Sequence, residues 1–342
     1  MNYYISIFAL FFLASCTTGA LQENGKVRSP SSSEELSQSH VFWEKTKIGE
    51  LPYKQRVGMI VEAKGQDLKG CVLYLEGLGD SIQNHYPLFN KLANAGYRVL
   101  TFDYLGQGGS EGEMAWTRLN AAGDPFPKSK DYEIGSQAKW VWDKYSQVSD
   151  PIYNRTCANS PKMVIGWSTG GLAAYMLAEE KWANAVVLIA PGIAPNLCVG
   201  EAGGDSLPKC LVKNISLDHV ITLRSLSSNN YSSNFNPHLD PIKPSGFLNI
   251  KEFAINLVST AYLQAQSLKI DPSVKGFVFL SGKKDTYVDR ERTHAILQEN
   301  APHFTVVPYE GALHEIDNEV PRIANDLHER TIEFFNSVTA GH

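Results

Sequence analysis

Short apolar runs alternate with longer amphipathic segments along this 342-residue chain, from Tyr53 to near its end. The apolar runs are rich in β-branched residues, and the segments between them place apolar residues at helical spacing. Such alternation predicts a mostly parallel sheet with helices on both faces. The predicted strands cover residues 58–61, 71–75, 98–102, 163–165, 185–189, 277–280 and 304–307. The predicted helices cover residues 86–94, 134–145, 170–181, 290–299 and 320–338.

The strand at 163–165 leads directly into the motif Gly-Trp-Ser-Thr-Gly at residues 166–170 and then into a helix of small residues. A serine on a sharp strand-to-helix turn takes strained dihedral angles and tolerates only small neighbours, so glycines flank it. The following helix directs its N-terminal amides at the site, where they stabilise negative charge. This pattern predicts an α/β-hydrolase fold with Ser168 as the nucleophile.

A second Gly-x-Ser-x-Gly match lies at residues 108–112, with Ser110 at its centre. The strand before it ends several residues earlier, and no small-residue helix follows. We therefore interpret Ser110 as part of a glycine loop, with Ser168 as the stronger candidate.

A serine hydroxyl reacts poorly near neutral pH until a base removes its proton, and the base needs a carboxylate to orient it. In this fold the order along the chain is serine, acid, histidine, and both partners lie on loops after later strands. Asp285 follows the strand at 277–280, and His314 follows the last predicted strand in a glycine-containing loop. Asp289 is the competing acid, but its place at the start of a helix is typical of a capping residue.

Four other histidines have simpler interpretations. His303 precedes the last strand and is expected at the opposite end of the sheet. His294 and His328 fall inside amphipathic helices and are expected at the surface. His85, at the start of a helix, is a candidate for lining the pocket.

Three further segments resemble the monoglyceride lipase and bacterial lysophospholipase group of α/β-hydrolases. They are Glu-Gly-Leu-Gly-Asp at 76–80, Phe-Asp-Tyr-Leu-Gly-Gln-Gly-Gly-Ser-Glu-Gly at 102–112 and Tyr-Glu-Gly-Ala-Leu-His-Glu-Ile at 309–316. With the serine motif, the resemblance spans roughly residues 53–338. It implies hydrolysis of lysophospholipid or monoacylglycerol through an acyl-enzyme, without a metal or organic cofactor, by a triad of Ser168, Asp285 and His314. Relatives with the same segments include esterases and proline-releasing, serine aminopeptidase-like peptidases.

The loop after the strand at 71–75 is where this fold supplies one donor of the oxyanion hole. The resemblance implies the backbone amides of Leu78 and Thr169 as the two donors. Many members of the group carry His-Gly where this chain has Glu76-Gly77. The support of this loop is therefore expected to differ from theirs.

Residues 191–271 interrupt the alternation, because they are rich in Asn, Ser and Pro and have weak periodicity. A structureless insertion of this length is unusual inside a compact domain. We interpret it as a cap, partly helical near 250–268, inserted between core segments 46–190 and 272–340. Substrate specificity is expected to depend on this cap.

The N-terminus carries an apolar stretch at residues 4–14 that is short for a membrane span and ends in Leu-Ala-Ser-Cys at 13–16. This is typical of an export signal, and its end resembles a bacterial lipobox. The resemblance implies a lipoprotein signal peptide at 1–16 with lipid attached to Cys16, followed by a flexible tether at 17–45. The expected location is a bacterial cell envelope, as a membrane-anchored lipoprotein on the periplasmic face or outer membrane. An ordinary cleaved signal with a chance cysteine is the alternative, since no Lys or Arg precedes the apolar stretch.

Four cysteines remain after Cys16, and they allow three disulfide connectivities. The Gly-rich loop between Cys198 and Cys210 favours a bridge there. For Cys71 and Cys157, the sequence leaves a bridge and buried free thiols equally open.

The net charge of −5 and the lack of a Lys/Arg stripe make nucleic acid an unexpected partner. The expected partners are a small lipid ester and, through the anchor, a membrane. A non-catalytic surface lipoprotein that binds lipid or a partner is the alternative of another class. The three triad residues in order argue against it, because a binding module does not need them.

Overall fold

The computed structural model describes residues 37–41, 44–48, 51–55, 59–63, 68–77, 80, 82–103, 153–154, 157, 160–194, 265–285 and 287–340. Cys16, Leu78, Ser110, Cys198 and Cys210 lie outside these ranges. So do the predicted helix at 134–145 and most of the predicted cap at 191–271. The cap therefore remains an interpretation.

A mostly parallel sheet forms the centre of the molecule. Its strands, with a separate hairpin, are β1 (Ser37–Val41), β2 (Glu44–Ile48), β3 (Leu51–Gln55), β4 (Met59–Ala63), β5 (Gly70–Leu75), β6 (Tyr97–Thr101), β7 (Lys162–Trp167), β8 (Ala185–Ile189), β9 (Lys275–Leu280) and β10 (Thr305–Pro308). The sheet order is β1-β4-β6-β5-β7-β8-β9-β10, and β2 pairs only with β3. Strands β5 to β10 are parallel, whereas β1 and β4 are added antiparallel at one edge.

Helices cover both faces of the sheet. In the described ranges they are α1 (Tyr86–Asn94), α2 (Thr169–Glu179), α3 (Arg290–Asn300) and α4 (Pro321–Thr339), with 3-10 turns at Ile82–His85 and Ile316–Asn318. Successive side chains of β5 point to opposite faces. Val72 and Tyr74 pack in the cluster that contains α1 and α4, whereas Leu73 and Leu75 pack in the one that contains α2 and α3. None of the helices in these ranges has the length and hydropathy needed to cross a bilayer.

The predicted strands agree with the observed ones, and the mostly parallel sheet flanked by helices is confirmed. For α1 the predicted and observed bounds coincide. This agreement arises because each strand is a short apolar run and each helix has its own apolar face. Each of these elements can therefore be predicted from its own residues.

The predicted boundary between tether and core needs a correction. Strand β1 lies inside the range 17–45 predicted as tether, yet its backbone pairs with β4 from Ser37 to Val41. Strand β2 also begins inside that range, at Glu44. An edge strand is held mainly by backbone hydrogen bonds, so the polar run Ser-Gln-Ser-His that begins β1 gives little sign of it in the sequence.

A disulfide joins Cys71 at the start of β5 to Cys157, just before β7. Its two Cα atoms are 5.8 Å apart, and both side chains are buried in the core on the α2 side. The sequence left this pair open between a bridge and free thiols, and the structure has the bridge. Closing a loop of 86 residues stabilises the fold by about 4.6 kcal/mol if the whole effect is on the unfolded chain.

Candidate active site

Ser168 sits on the turn between β7 and α2 with strained backbone angles, φ 53° and ψ −116°. A Cβ atom on Gly166 would lie 2.1 Å from the carbonyl oxygen of Gly170, and one on Gly170 would lie 2.1 Å from that of Leu75. The turn is therefore too tight for any residue but glycine at these two positions. The Ser168 amide donates to the carbonyl of Ile189 at 3.0 Å, and the Ser168 carbonyl accepts from the Gly192 amide at 2.7 Å. Backbone bonds from β8 and the segment after it thus hold the strained residue.

Three predicted residues meet at this turn. The Nε2 atom of His314 lies 2.8 Å from the Ser168 hydroxyl, and the Nδ1 atom of His314 lies 2.8 Å from a carboxylate oxygen of Asp285. Because an ionised carboxylate only accepts, Nδ1 carries a proton and Nε2 is left to accept the serine proton. His314 and Asp285 are buried, whereas Ser168 is half-buried. The arrangement can transfer a proton from the hydroxyl to the imidazole.

Asp285 accepts hydrogen bonds from four groups in the part of the chain that the structure describes. Its Oδ2 atom accepts from His314 and from the Ser281 hydroxyl at 2.5 Å, and its Oδ1 atom accepts from the amides of Tyr287 and Val288 at 2.7 and 3.2 Å. Burial alone would raise the pKa of Asp285, but His314 and these donors together lower it below its ordinary value. The carboxylate is therefore ionised and fixed in orientation.

Asp289, the competing acid, takes the capping role expected of it. Its side chain accepts from the Arg292 amide at 3.0 Å at the N-terminus of α3. The carboxylate that accepts from His314 is that of Asp285 instead.

Two aromatic rings flank the imidazole of His314. The ring of Tyr287 stacks on it with centroids 4.7 Å apart, and the ring of Trp167 lies at 5.3 Å on a tilt. The Trp167 indole N–H also donates to the backbone carbonyl of His314 at 3.0 Å. The residue before the nucleophile therefore fixes the backbone that carries the base.

Thr169, one predicted oxyanion donor, is the first residue of α2. The first amides of a helix have no partner inside it, and the helix dipole favours negative charge there. Leu78, the other predicted donor, lies outside the described residues. Gly77 just before it packs so closely on Trp167 that a Cβ atom would lie 2.5 Å from the indole ring.

A second buried histidine also lies close to Trp167, its ring centroid 5.2 Å from that of the indole. His85 is fully buried; its Nδ1 atom lies 2.5 Å from a carboxylate oxygen of Asp317 and its Nε2 atom 2.5 Å from one of Asp80. We call Asp80, His85 and Asp317 the buried histidine cluster. His85 therefore does not line the pocket, contrary to the prediction. These direct contacts leave no room for a metal ion, and no group of ligating side chains suited to a metal occurs among the described residues.

His328 was predicted at the surface and is buried instead. Its Nε2 atom donates to the backbone carbonyl of Asp317 at 3.0 Å, and burial lowers its pKa to about 4, so the ring is neutral at pH 7. His303, by contrast, lies as predicted at the start of the strands, where it bonds the carbonyl of Val274.

Glu315, next to His314 in the chain, is also buried. Burial is the main cause that raises its pKa to about 8, with the nearby charges of Asp80 and Asp317 adding to the effect. Its carboxyl group accepts from the Asn318 amide at 2.5 Å. Glu315 is therefore protonated near neutral pH. No local sequence pattern joins the segment of Asp80 and His85 to the segment of His314 and Asp317.

Comparison with known families identifies the fold. The family model described as "Serine aminopeptidase, S33" matches residues 66–321. The chain belongs to this family. A comparison with curated protein sequences found no match.

Solved structures share the fold of this S33-family chain at low sequence identity. A monoglyceride lipase from Saccharomyces cerevisiae aligns with a TM-score of 0.60 and 14% identity, over 90% of this chain and 99% of that one. A carboxyl esterase from Bacillus coagulans aligns with a TM-score of 0.58 and 15% identity, over 88% and 99%. A monoacylglycerol lipase from Paleococcus ferrophilus aligns with a TM-score of 0.51 and 17% identity, over 87% and 99%. These structures confirm the α/β-hydrolase fold, and the matching family model confirms the hydrolase class.

Proposed function

We propose that this protein is a serine carboxylic-ester hydrolase that acts on single-chain lipids, lysophospholipid or monoacylglycerol, through an acyl-enzyme. The observation that carries the proposal is the chain of hydrogen bonds from Ser168 through His314 to Asp285, each 2.8 Å long. A buried carboxylate, an imidazole in one tautomer and a half-buried hydroxyl on a strained turn are the parts that acyl transfer needs.

The reaction would proceed in two steps. Ser168 attacks the ester carbonyl while Nε2 of His314 takes its proton, and the positive charge that forms on the ring is stabilised by Asp285. The amides of Thr169 and Leu78 would hold the oxyanion, and His314 would then protonate the leaving alcohol. Water, deprotonated by the same imidazole, hydrolyses the acyl-enzyme and restores Ser168.

Three features support a lipid substrate. The segments at 76–80, 102–112 and 309–316 resemble those of monoglyceride lipases and bacterial lysophospholipases. Two proteins of the same fold are a monoglyceride lipase and a monoacylglycerol lipase. An acyl chain on Cys16 would keep the enzyme beside a membrane, where such lipids are found.

The same triad is compatible with a peptidase or a short-chain esterase. The matching family model carries the description of a serine aminopeptidase, and one protein of the same fold is a carboxyl esterase. The chemistry of Ser168 is the same in each case, so the leaving group and acyl pocket decide between them.

We further propose that the protein is exported and anchored to a bacterial cell envelope through Cys16. The buried disulfide between Cys71 and Cys157 supports export, because disulfides persist in oxidising compartments. Growth on a labelled fatty acid tests the anchor. The wild-type protein should incorporate label and Cys16→Ala should not, whereas equal labelling of both would contradict the proposal.

A fluorophosphonate probe tests the nucleophile, since it bonds covalently to activated serines. The wild type should be labelled, and Ser168→Ala should lose the label completely. Ser110→Ala, the other Gly-x-Ser-x-Gly serine, is the matched control and should keep it. Equal labelling after Ser168→Ala would exclude Ser168 as the nucleophile.

A panel of three substrates tests the reaction class. Turnover of a lysophospholipid, a short acyl ester and a peptide with N-terminal proline should be compared at equal enzyme concentration. We expect the highest kcat/KM for the lysophospholipid. A higher value for the peptide would favour the aminopeptidase alternative. No labelling and no turnover across the panel would favour a non-catalytic lipoprotein.

A further inference from the structure

The buried histidine cluster connects two chain segments that border the triad. Asp80 lies in the loop after β5, two residues beyond Leu78, and Asp317 lies three residues beyond His314. The ring of His85 bridges them, with 2.5 Å between each ring nitrogen and a carboxylate oxygen. Asp317 is 232 residues from His85 in sequence, so this bridge joins distant parts of the chain.

The geometry determines how the ring is protonated. A neutral imidazole has one N–H and one lone pair, and the lone pair would face an anionic oxygen at 2.5 Å. With both nitrogens protonated, each carboxylate receives a charge-assisted hydrogen bond. The burial of the ring opposes its charge, but Asp317 and Asp80 more than offset this, so that the pKa of His85 lies well above its ordinary value.

Among the described residues around His85, few other side chains could form an ion pair with its charged ring. The side chains of Tyr74 and Glu76 come from β5 and the residue after it, and the Tyr74 ring lies 4.9 Å from that of His85. Glu315 lies in the segment after His314 and is protonated near neutral pH. His328 of α4 is neutral, and the charge of Lys91 on α1 adds to the lowering of the His328 pKa. The two aspartates thus form the ion pairs of His85.

The bridge also supports the backbone of the base. The Trp167 indole donates to the carbonyl of His314, and its ring centroid lies 5.3 Å from that of His314 and 5.2 Å from that of His85. The segment that follows His314 is short and turns directly into the 3-10 turn Ile316–Asn318. Loss of the Asp317 contact would therefore loosen the segment that carries the base, while Asn318 would still bond the carbonyl of Asn84.

We propose that His85 is a positioning residue, which as an imidazolium bridging Asp80 and Asp317 holds the loop after β5 against the segment that carries His314. This inference rests on the proposed hydrolase activity of Ser168 and His314. His85 does not touch the reacting atoms. It sets the distance between the base and the loop predicted to supply an oxyanion donor, and a displacement of about 1 Å there costs on the order of 10²-fold in rate.

Kinetics of the purified full chain test this role. His85→Gln keeps a polar side chain of similar size without the charge. We expect kcat to fall about 10- to 100-fold with KM changed less than about threefold, because the substrate contacts stay while the base is misplaced. The His85→Arg variant carries a permanent cation with N–H donors on two edges. It should therefore keep most of the wild-type kcat, and should keep it at alkaline pH as well. His303→Gln, a histidine bonded to a carbonyl at the other end of the sheet, is the control and should match the wild type.

Nuclear magnetic resonance of ¹⁵N-histidine-labelled wild type gives a test that does not depend on whether the variants fold. Both ring nitrogens of His85 should remain protonated at pH 8, whereas His328 should be neutral. A neutral His85 at pH 7, or a His85→Gln protein with wild-type kcat, would overturn the inference. If wild type is not labelled by the fluorophosphonate, the proposed function fails instead, and the protonation of His85 is still measured.

Discussion

Two histidine rings lie close to Trp167, and each bonds a buried aspartate, yet their partners differ in one respect. His314 has one carboxylate and one hydroxyl, at 2.8 Å each. His85 has two carboxylates, at 2.5 Å each. A ring that faces a hydroxyl can take a proton and return it, whereas a ring between two anions keeps both protons. The second partner of the histidine ring therefore decides whether a buried Asp–His pair moves a proton or holds two loops together.

The largest expected effect comes from removing the carboxylate of the first pair. Asp285→Asn should lower kcat about 10⁴-fold, because an amide can donate to Nδ1 and so stabilise the wrong tautomer of His314. Steady-state turnover of the ester substrate measures it. Asp289→Asn is the matched control four residues away and should stay within about twofold, since it caps a helix. Equal losses in both variants would contradict the assignment of Asp285.

The same substitution in the second pair should have a smaller effect. Asp317→Asn leaves His85 with Asp80 as its one carboxylate, so we expect kcat to fall about tenfold and the pKa of His85 to decrease. The loss of kcat and the ¹⁵N titration of His85 should be measured on one protein sample. A loss as large as that of Asp285→Asn would mean that Asp317 acts in the chemistry rather than in positioning.

Glu315 should make the thermal stability of the protein depend on pH. Its folded pKa is about 8, above its ordinary 4.5, so the stability gained from its proton is present below pH 4.5 and is lost as the pH rises toward 8. The wild type should therefore have a lower Tm at pH 9 than at pH 6. Glu315→Gln cannot ionise, so its Tm should fall less over the same range. Glu310→Gln, an exposed partner of Arg290, should behave as the wild type.

The smallest effect is expected from Ser281, which donates to the carboxylate of Asp285. That bond helps to lower the pKa of Asp285, and a lowered pKa contributes stability above the ordinary value that is lost as the pH falls. Ser281→Ala should therefore lower kcat by less than about tenfold and begin acid unfolding at a higher pH. Circular dichroism between pH 5 and 2 would measure the shift, with Ser337→Ala as control, because the exposed hydroxyl of Ser337 bonds a backbone carbonyl. An unchanged acid transition would show that the other three donors suffice.

The three residues proposed as the triad could be predicted from local sequence patterns. Ser168 lies in a strand–turn–helix pattern, and Asp285 and His314 follow strands whose carboxyl ends must meet at one edge of a parallel sheet. Each signal needs fewer than about ten residues and a known chain order. The structure brings the three side chains together at hydrogen-bonding distance.

The buried histidine cluster could not be predicted from local sequence patterns. His85 begins a helix and His328 lies in an amphipathic one, and both patterns are typical of partly exposed residues. Both histidines are buried by packing between α1, α4 and the segment after His314. This packing joins distant parts of the chain, since the contact between His85 and Asp317 spans 232 residues. Strand β1 was missed for a related reason, since it depends on a pairing partner rather than on its own composition.

The bridge between Cys71 and Cys157 has a further consequence for how the protein would tolerate damage. A single proteolytic cut at any point between these residues leaves two polypeptides that remain covalently joined, one of which carries β5 at the centre of the sheet and the other β7 with the nucleophile. A nicked molecule would therefore migrate as one band on a gel without reductant and as two bands with it. In an environment rich in proteases, the two neighbouring strands would not be separated by such a cut.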